Sequence, residues 1–461
     1  MIWTLRFGSG YAGLGERMNQ NRHGYHIGFR NLLILALMGL GLTGYGQNDA
    51  SPSVPETQTN RAPSPREPEG VISLQSAMEW ALMQSPELMG SAYGVQAAEG
   101  AAQQAGALAN PTFELTAEEF GGSGARKGTD AAQTTALLNQ TLDWGGKRGK
   151  RRDVAQAEAR LVGWDYEAKR LDILISTKKA YVDLLLAQGQ LSLSQSLLVL
   201  AEDVRLAAAK RVQSGKVPPL EETKAGVEVA SARIARDRAQ RELDTARRRL
   251  ASKWGATLPL FREAGGELDS VQEVPSLERL SATLDHTPEV ARWNDEVAFS
   301  RKSLAVAKSE RSSDVSLNAG ISRFEQDGSH AFTAGVSVPL PLFNRNAGGI
   351  LAASHRATRV DYEQRAARLR AVTDLVEAHN RLAMARTEAV TTKRELLPGA
   401  QQAFEAAKTG YQEGKWGYLE MLDAQRTWSE AKSRYLDVLA AYHKAAADVE
   451  RLAGTPVPTI K

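Results

Sequence analysis

Two carboxylates, Glu420 and Asp423, stand three residues apart at the start of a predicted helix and so share one face of it. The plain reading is charge that complements the positive end of the helix dipole. A ring of such acids around an opening would instead favour cations and repel anions. A second charged group, Lys147, Arg148, Lys150, Arg151 and Arg152, surrounds and follows a glycine-rich junction at Gly145, Gly146 and Gly149. The glycines permit a sharp change of chain direction, and the basic side chains suit headgroups at a membrane surface or neighbouring acids. Little else points to chemistry. Cysteine is absent, which removes disulfides, thiolate metal sites, Cys nucleophiles and a lipidated N-terminal Cys. His23 and His26 lie near the N-terminus, and His286, His330, His355, His379 and His443 have no partner four residues away, so no zinc site is expected. The methionines form no cluster that would relay Cu(I). There is no nucleophile elbow and no glycine-rich phosphate loop after a strand, so neither an enzyme nor a bound cofactor is expected.

The elements that carry these residues follow from composition and pattern. Lys plus Arg total 57 against 54 Asp plus Glu, and a balance of +3 gives no whole-chain attraction to nucleic acid. Of the 461 residues 42% are apolar, which supplies a core, while frequent Ala and only 17 Pro favour long helices over a sandwich or a compact α/β enzyme. The apolar run Leu32–Leu42 follows Arg22 and Arg30 and precedes Gly44 and Gly46, the pattern of a secretory signal spanning 1–46. Residues 47–70 are rich in Ser, Pro, Thr and Glu and read as a disordered linker. No later segment is a continuous apolar run of membrane-spanning length, so no spanning helix is expected beyond the signal; hydropathy is a poor detector of barrels.

From Val71 onward the chain reads as a duplication, with repeats at 71–260 and 261–461. Gln213-Ser-Gly215-Lys216-Val-Pro-Pro-Leu220-Glu221 corresponds to Gln412-Glu-Gly414-Lys415-Trp-Gly-Tyr-Leu419-Glu420 at an offset of 199. The same offset relates Ala225 to Ala424, Gly255 to Gly454, Pro259 to Pro458 and Trp144 to Phe343. Ser85-Pro86-Glu87-Leu88 resembles Thr287-Pro288-Glu289-Val290 at an offset of 202. Each half is expected to hold a helix (74–109, 277–312), two strands, a long helix (147–213, 348–412), a tight turn at Gly215 or Gly414, and a last helix stopping at Gly255 or Gly454.

The strand segments alternate. In 112–120, Phe113, Leu115 and Ala117 oppose Thr112, Glu114, Thr116 and Glu118. In 315–322, Val315, Leu317, Ala319 and Ile321 oppose Ser316, Asn318, Gly320 and Ser322. In 331–343, Phe332, Ala334, Val336, Val338, Leu340 and Leu342 oppose Thr333, Gly335, Ser337, Pro339 and Pro341. Leu138, Gln140, Leu142 and Trp144 continue the theme less cleanly. A membrane barrel and a half-buried soluble hairpin share this period. The export signal, the small or acidic polar face and the polar connections at 121–130 and 325–330 favour the barrel. Four strands cannot close one, since the smallest have about eight, so the chain must oligomerise; a trimer supplies twelve.

Taken together these features resemble the TolC family of outer-membrane efflux channels over essentially all of 71–455. The residues that carry the resemblance are Leu74-Gln-Ser-Ala-Met-Glu-Trp-Ala-Leu82, Ser85-Pro86-Glu87-Leu88, Asn110-Pro111, Gln140-Thr-Leu-Asp-Trp-Gly145-Gly146-Lys147-Arg148, and Tyr411-x-x-Gly414 followed by Leu419-x-x-x-Asp423-Ala424-Gln425. The Gly-Gly-Lys-Arg junction is similar to the CzcC-like, heavy-metal efflux branch. The resemblance implies a mainly α chain with membrane β structure: a trimeric 12-stranded β-barrel, four strands per chain, continued by a long periplasmic α-helical barrel. It implies a homotrimer in outer-membrane lipid, a periplasmic adaptor (membrane fusion) protein and an inner-membrane resistance-nodulation-division pump. The channel would be the passive exit duct for cations such as cobalt, zinc, cadmium or copper. It also implies that Glu420 and Asp423 line the periplasmic constriction, and that Gly215, Lys216, Leu220, Gly414, Lys415 and Leu419 form the adaptor-docking tips. The missing Cys departs from lipid-anchored relatives, and Pro218-Pro219 departs from the usual first tip. A channel for drugs or small molecules, a type I protein-secretion channel and a periplasmic coiled-coil structural protein are the alternatives.

Overall fold

The computed structural model describes residues 67–457. The expected signal at 1–46 and most of the linker at 47–70 lie outside the described residues, as do the last four positions of the second repeat. In chain order the elements are β1 (Gly70–Ile72), α1 (Leu74–Gln84), α2 (Pro86–Ala105), β2 (Thr112–Glu118), β3 (Gln133–Leu142), α3 (Lys147–Gln213) and α4 (Pro219–Ala251). They continue with β4 (Phe261–Ala264), α5 (Leu277–Ser281), α6 (Pro288–Ser309), β5 (Val315–Phe324), β6 (His330–Ser337), α7 (Ala347–Thr391), α8 (Leu397–Gln412) and α9 (Tyr418–Ala453).

The 67 residues of α3 are uninterrupted, a rod of about 100 Å. Its expected counterpart at 348–412 is not. A π-turn at Thr392–Leu396 separates α7 from α8. Pro398 has no N–H to complete the helical ladder, and the wider turn just before it absorbs the mismatch. The expected helix at 74–109 is also two helices. Ser85 is extended (φ −60°, ψ 118°) because the ring of Pro86 disfavours helical backbone before it. Its side chain then accepts the Leu88 N–H and caps α2. The expected helix at 277–312 breaks the same way at Thr287-Pro288, into α5, a short 3-10 turn and α6.

Toward the sheet, α2, α3, α6 and α7 lie side by side; toward the far end the neighbours are α4, α3, α9 and then α8 with the second half of α7. Tyr181, Val182 and Leu184 of α3 are fully buried with Phe261, Leu250 and Leu439 in the main core. Leu375, Leu382, Tyr442 and Val449 hold α7 to α9. By length and composition alone, the helix Trp144–Gln213 contains one stretch apolar enough to cross a membrane, a test that packed core helices also pass. The expectation counted continuous apolar runs, which interspersed Gln and Ser interrupt without making the segment polar.

β2, β3, β5 and β6 form one antiparallel sheet in that order. Cross-strand partners share a face. One face carries the rows Phe113–Leu138–Ala319–Ala334 and Leu115–Ala136–Ile321–Phe332. The other carries Thr112–Asn139–Asn318–Gly335 and Thr116–Thr135–Ser322–Ala331. Leu137 and Gln140 depart from this division. Leu137 lies on the polar face opposite Gly320, and Gln140 lies among apolar residues but donates to the Ala109 carbonyl at 3.0 Å. Two strands are shorter than expected. β6 ends at Ser337, because Pro339 and Pro341 cannot donate to a ladder, and β2 ends before Glu119, whose φ is +60°.

Not foreseen was a crossing segment at mid-length. β4 pairs in parallel with β1. The Gln188 amide of α3 matches both backbone groups of Ala264, accepting its N–H at 2.8 Å and donating to its carbonyl at 3.2 Å. The Tyr181 hydroxyl donates toward the Ile72 carbonyl at 2.9 Å, and burial pushes this phenol up to about 12. The chain then crosses α7 and α9, held by Arg386 to the Gln272 carbonyl, Tyr442 to Gln272, and His443 to the Leu268 carbonyl at 2.7 Å.

His443 is wholly buried. Nε2 donates to Leu268, and Nδ1 has no partner among the described residues. Burial lowers its affinity for a proton; the hydrogen bond to the Leu268 carbonyl works against this, and nearby Lys178 adds to the lowering. The folded chain therefore keeps His443 neutral where an unfolded chain, with a pKa of about 6.5, takes up a proton. Stability is complete above that value and declines as the pH falls below it. Thermal unfolding at pH 7.5 and 5.5 is expected to show the loss, and His443→Gln, which keeps a donor for Leu268, is expected to flatten it. An unchanged pH slope in the variant would place the dependence elsewhere.

Candidate functional site

The α3–α4 and α8–α9 turns have the same construction. The Lys216 N–H donates to the Arg211 carbonyl at 2.9 Å and the Gly215 N–H to Val212 at 2.9 Å. The Lys415 N–H donates to Gly410 at 2.8 Å and the Gly414 N–H to Tyr411 at 3.0 Å. These paired bonds require a left-handed residue, supplied by Gly215 (φ +69°) and Gly414 (φ +75°). The fold sets the two turns side by side. The Arg211 guanidinium lies 4.4 Å from the centroid of the Tyr411 ring and donates to its carbonyl at 3.1 Å. Tyr411, Tyr418 and Met421 pack with Ala208 and Ala225 beneath the turns. Burial raises both phenols, Tyr418 to about 12, so both stay protonated and act in packing rather than proton transfer.

All the tip residues singled out by sequence are exposed. Lys216 and Lys415 lie on the turns, and Leu220 and Leu419 are 59% and 60% exposed on the first turns of α4 and α9. Trp416 was not singled out, yet it folds back onto the turn: a Cβ at Gly410 would lie 2.8 Å from its ring. Gly414→Val is expected to weaken the turn by ~1–2 kcal/mol, the cost of left-handed backbone for a side chain, while the open space around it leaves the helices intact. A lower melting temperature with unchanged helical circular dichroism would report it; unchanged stability would mean the turn rearranges freely.

Glu420 and Asp423 are both exposed, on the side of α9 opposite buried Tyr418, Met421 and Gln425. Glu420 folds toward the helix start, its Oε2 2.6 Å from where a Cβ would stand at Gly417. Asp423 has no side-chain partner among the described residues. The geometry thus brings the two acids to one free face.

Of the two partners the sequence leaves open for the basic run at the strand-to-helix junction, headgroups or neighbouring acids, part of the run takes the acids. Gly145 and Gly146 are left-handed (φ +73° and +71°) and reverse the chain between β3 and α3. Lys147 is buried and its Nζ lies 2.8 Å from Asp314, whose carboxyl it holds below the usual carboxylate range, assisted by the Trp144 N–H. Arg151 pairs with Asp143 at 2.7 Å, and Lys150 donates to the Gly145 carbonyl at 3.1 Å. Arg148 stays exposed. The signal that could have found the inward pairs is Asp314 just before β5, whose proximity depends on the β3–β5 pairing.

A half-apolar sheet on long antiparallel helices with paired turns is a build shared with solved outer-membrane channels. The Outer membrane efflux protein family profile matches residues 77–256 and 280–455, and the chain belongs to that family. It is 34% identical over 400 residues, 87% of this chain and 94% of the other, to the cobalt-zinc-cadmium resistance protein CzcC of Cupriavidus metallidurans. It is 29% identical over 286 residues to the nickel-cobalt-cadmium resistance protein NccC of Alcaligenes xylosoxydans xylosoxydans, covering 60% of this chain and 63% of NccC. A CusC crystal structure shares the fold with a TM-score of 0.72 at 18% identity, over 85% of this chain and 96% of that one. The Vibrio cholerae outer-membrane protein VceC superposes at 0.68 and 21% identity, over 83% and 96%. The family places the chain at the outer membrane, in efflux.

Proposed function

We propose that three copies of this chain close a 12-stranded barrel in the outer membrane, continued by a barrel of helices into the periplasm. The duct would let heavy-metal cations pass that a resistance-nodulation-division pump delivers through a periplasmic adaptor. The observation that carries this reading is the open four-stranded sheet. Its apolar face is in solvent in the single chain, with Phe332 90% and Phe113 69% exposed, and β2 and β6 are edges with unpaired backbone groups. In lipid the apolar face is favourable, but free edges are not, and closure by further copies satisfies them.

The helices support the same closure. On α4, Val227 and Ile234 lie about 160–180° around the helix from buried Ala225 and about 120–160° from buried Val229 and Ala239, and so face away from α3. On α7, Tyr362, Leu369 and Met384 lie two residues from buried Val360, Ala367 or Ala371, and Leu382. α4 and α7 thus carry apolar residues on faces turned from their own neighbours, as a next copy on either side would need. We read 71–260 and 261–461 as two copies of one repeat, a reading supported by the two matched stretches. The metal cargo rests on the names of the relatives.

Membrane fractions run on denaturing gels with and without boiling test the assembly. A trimer that collapses to monomer only on heating is expected. A monomer in the soluble periplasmic fraction would overturn the barrel and favour a periplasmic coiled-coil protein. Cobalt, zinc and cadmium tolerance in a strain lacking the gene tests the cargo: loss of tolerance to drugs but not metals would overturn the metal reading alone.

A further inference from the structure

We propose that the rim where strands meet helices binds an anionic phospholipid, its phosphate on Arg148 and Arg311 and its acyl chains against the apolar face of the sheet. The proposal rests on the membrane-barrel reading above.

The strand-to-helix crossings lie together. Lys147 of the β3–α3 crossing reaches Asp314 of the α6–β5 crossing at 2.8 Å. Asn346 of the β6–α7 crossing donates to the Ala307 carbonyl at 2.9 Å and to Glu310 at 2.8 Å. Within this rim the acids are engaged: Asp143 by Arg151, Asp314 by Lys147 and Glu310 by Asn346. The cations are in excess. Arg148, Lys308 and Arg311 are exposed, with no carboxylate partner among the described residues. Arg345 is exposed and its Nε donates to the Pro341 carbonyl, which leaves the rest of the guanidinium free.

Beside this charge lies an exposed apolar group. Trp144 is 63% and Phe343 100% exposed, with Leu340 and Leu342 also in solvent. Trp144 stands two residues past the end of β3, and Leu340, Leu342 and Phe343 follow the end of β6, so these exposed side chains lie together at the helix end of the sheet, next to its apolar face. The backbone sets the depth. Pro339 and Pro341 end β6, and irregular backbone is not tolerated in hydrocarbon, so 338–343 belongs at headgroup level. Apolar strands, then Trp and Phe, then unpaired arginines is the depth profile of half a bilayer. A free anion would use the arginines but gain nothing from the apolar and aromatic surface that runs up to them.

The full-length protein in detergent micelles tests this with two probes, dibrominated phosphatidylglycerol and dibrominated phosphatidylcholine, whose bromines quench nearby tryptophan. The Trp144 contribution is the difference between parent and Trp144→Phe. We expect roughly fivefold stronger apparent binding of the glycerol lipid than the choline lipid, given the attraction of a basic side chain for an anionic surface. Arg148→Gln with Arg311→Gln should remove the preference while leaving quenching by the choline lipid. Arg345→Gln alone should reduce it, which keeps the test available if the double variant loses its heat-modifiable oligomer. Equal quenching by both lipids in the parent overturns the proposal and leaves the barrel intact. A preference unchanged in the variants overturns the assignment to these arginines. No quenching by either lipid overturns the barrel reading as well.

Discussion

Gly320→Ala is expected to abolish the heat-modifiable oligomer, whereas Gly335→Ala, on the neighbouring strand, is expected to leave it intact. Both glycines point to the polar face of the sheet. A Cβ at Gly320 would lie 2.2 Å from the Ala136 carbonyl oxygen and 3.1 Å from the Leu137 Cα. These are backbone atoms of β3, held in place by the β3–β5 ladder, so the strands must separate where β5 is central. The cost is at or above the ~3 kcal/mol upper range of overpacking. At Gly335 the same atom would meet the Asn318 side-chain oxygen at 2.6 Å, and that side chain can rotate. Boiled and unboiled membrane samples of both variants check this. A stable oligomer of Gly320→Ala would show that the sheet accommodates a wider β3–β5 spacing.

The isolated channel is expected to prefer cations and to be blocked by divalent or trivalent cations from the periplasmic side. Glu420→Gln combined with Asp423→Asn is expected to reduce both effects several-fold. The two acids lie on one exposed face of α9, just past the Gly414 turn and away from Tyr418 and Met421. In a closed trimer three copies would ring an opening, and carboxylates at a narrow point attract cations and exclude anions. The amides keep the shape and remove the charge. Reversal potentials in planar bilayers under a salt gradient measure the preference, and added trivalent cation measures the block. If both equal the parent, the acids do not line the constriction. Their role is then the helix start, where Glu420 already folds over Gly417, and the variant should lose only ~0.3–1 kcal/mol of stability.

Much of the architecture was legible because it is local. Alternation of period two in 315–322 fixes which residues share a face whatever strand lies alongside. The turns at Gly215 and Gly414 were legible because a left-handed position almost demands glycine. The breaks at Ser85-Pro86 and Thr287-Pro288 were written in the sequence too, but helical periodicity on both sides masked them. β1 and β4, of three and four residues, are too short to show a period; they pair with each other, and Tyr181 and Gln188 of α3 hold Ile72 and Ala264. Of the candidate site, the tip glycines and the shared face of Glu420 and Asp423 were predictable. The inward course of Lys147 was not, because its partner Asp314 lies far along the chain.

The amino-acid sequence by itself determined the order of the long helical segments and of the four strands of the sheet, the two faces of β2, β5 and β6, the turns, and the acids and bases at the tips and junctions. All of these depend on residues within a turn or a few positions of one another. Only the tertiary structure decided that β3 lies beside β5 across the long α3–α4 hairpin, that the two turns meet through Arg211 and Tyr411, and that some junction cations are neutralised while Arg148 is left free. Periodicity says that a surface needs an apolar neighbour but does not name the neighbour. That choice is made by contacts spread over distant segments, which must together outweigh the entropy of closing the chain between them.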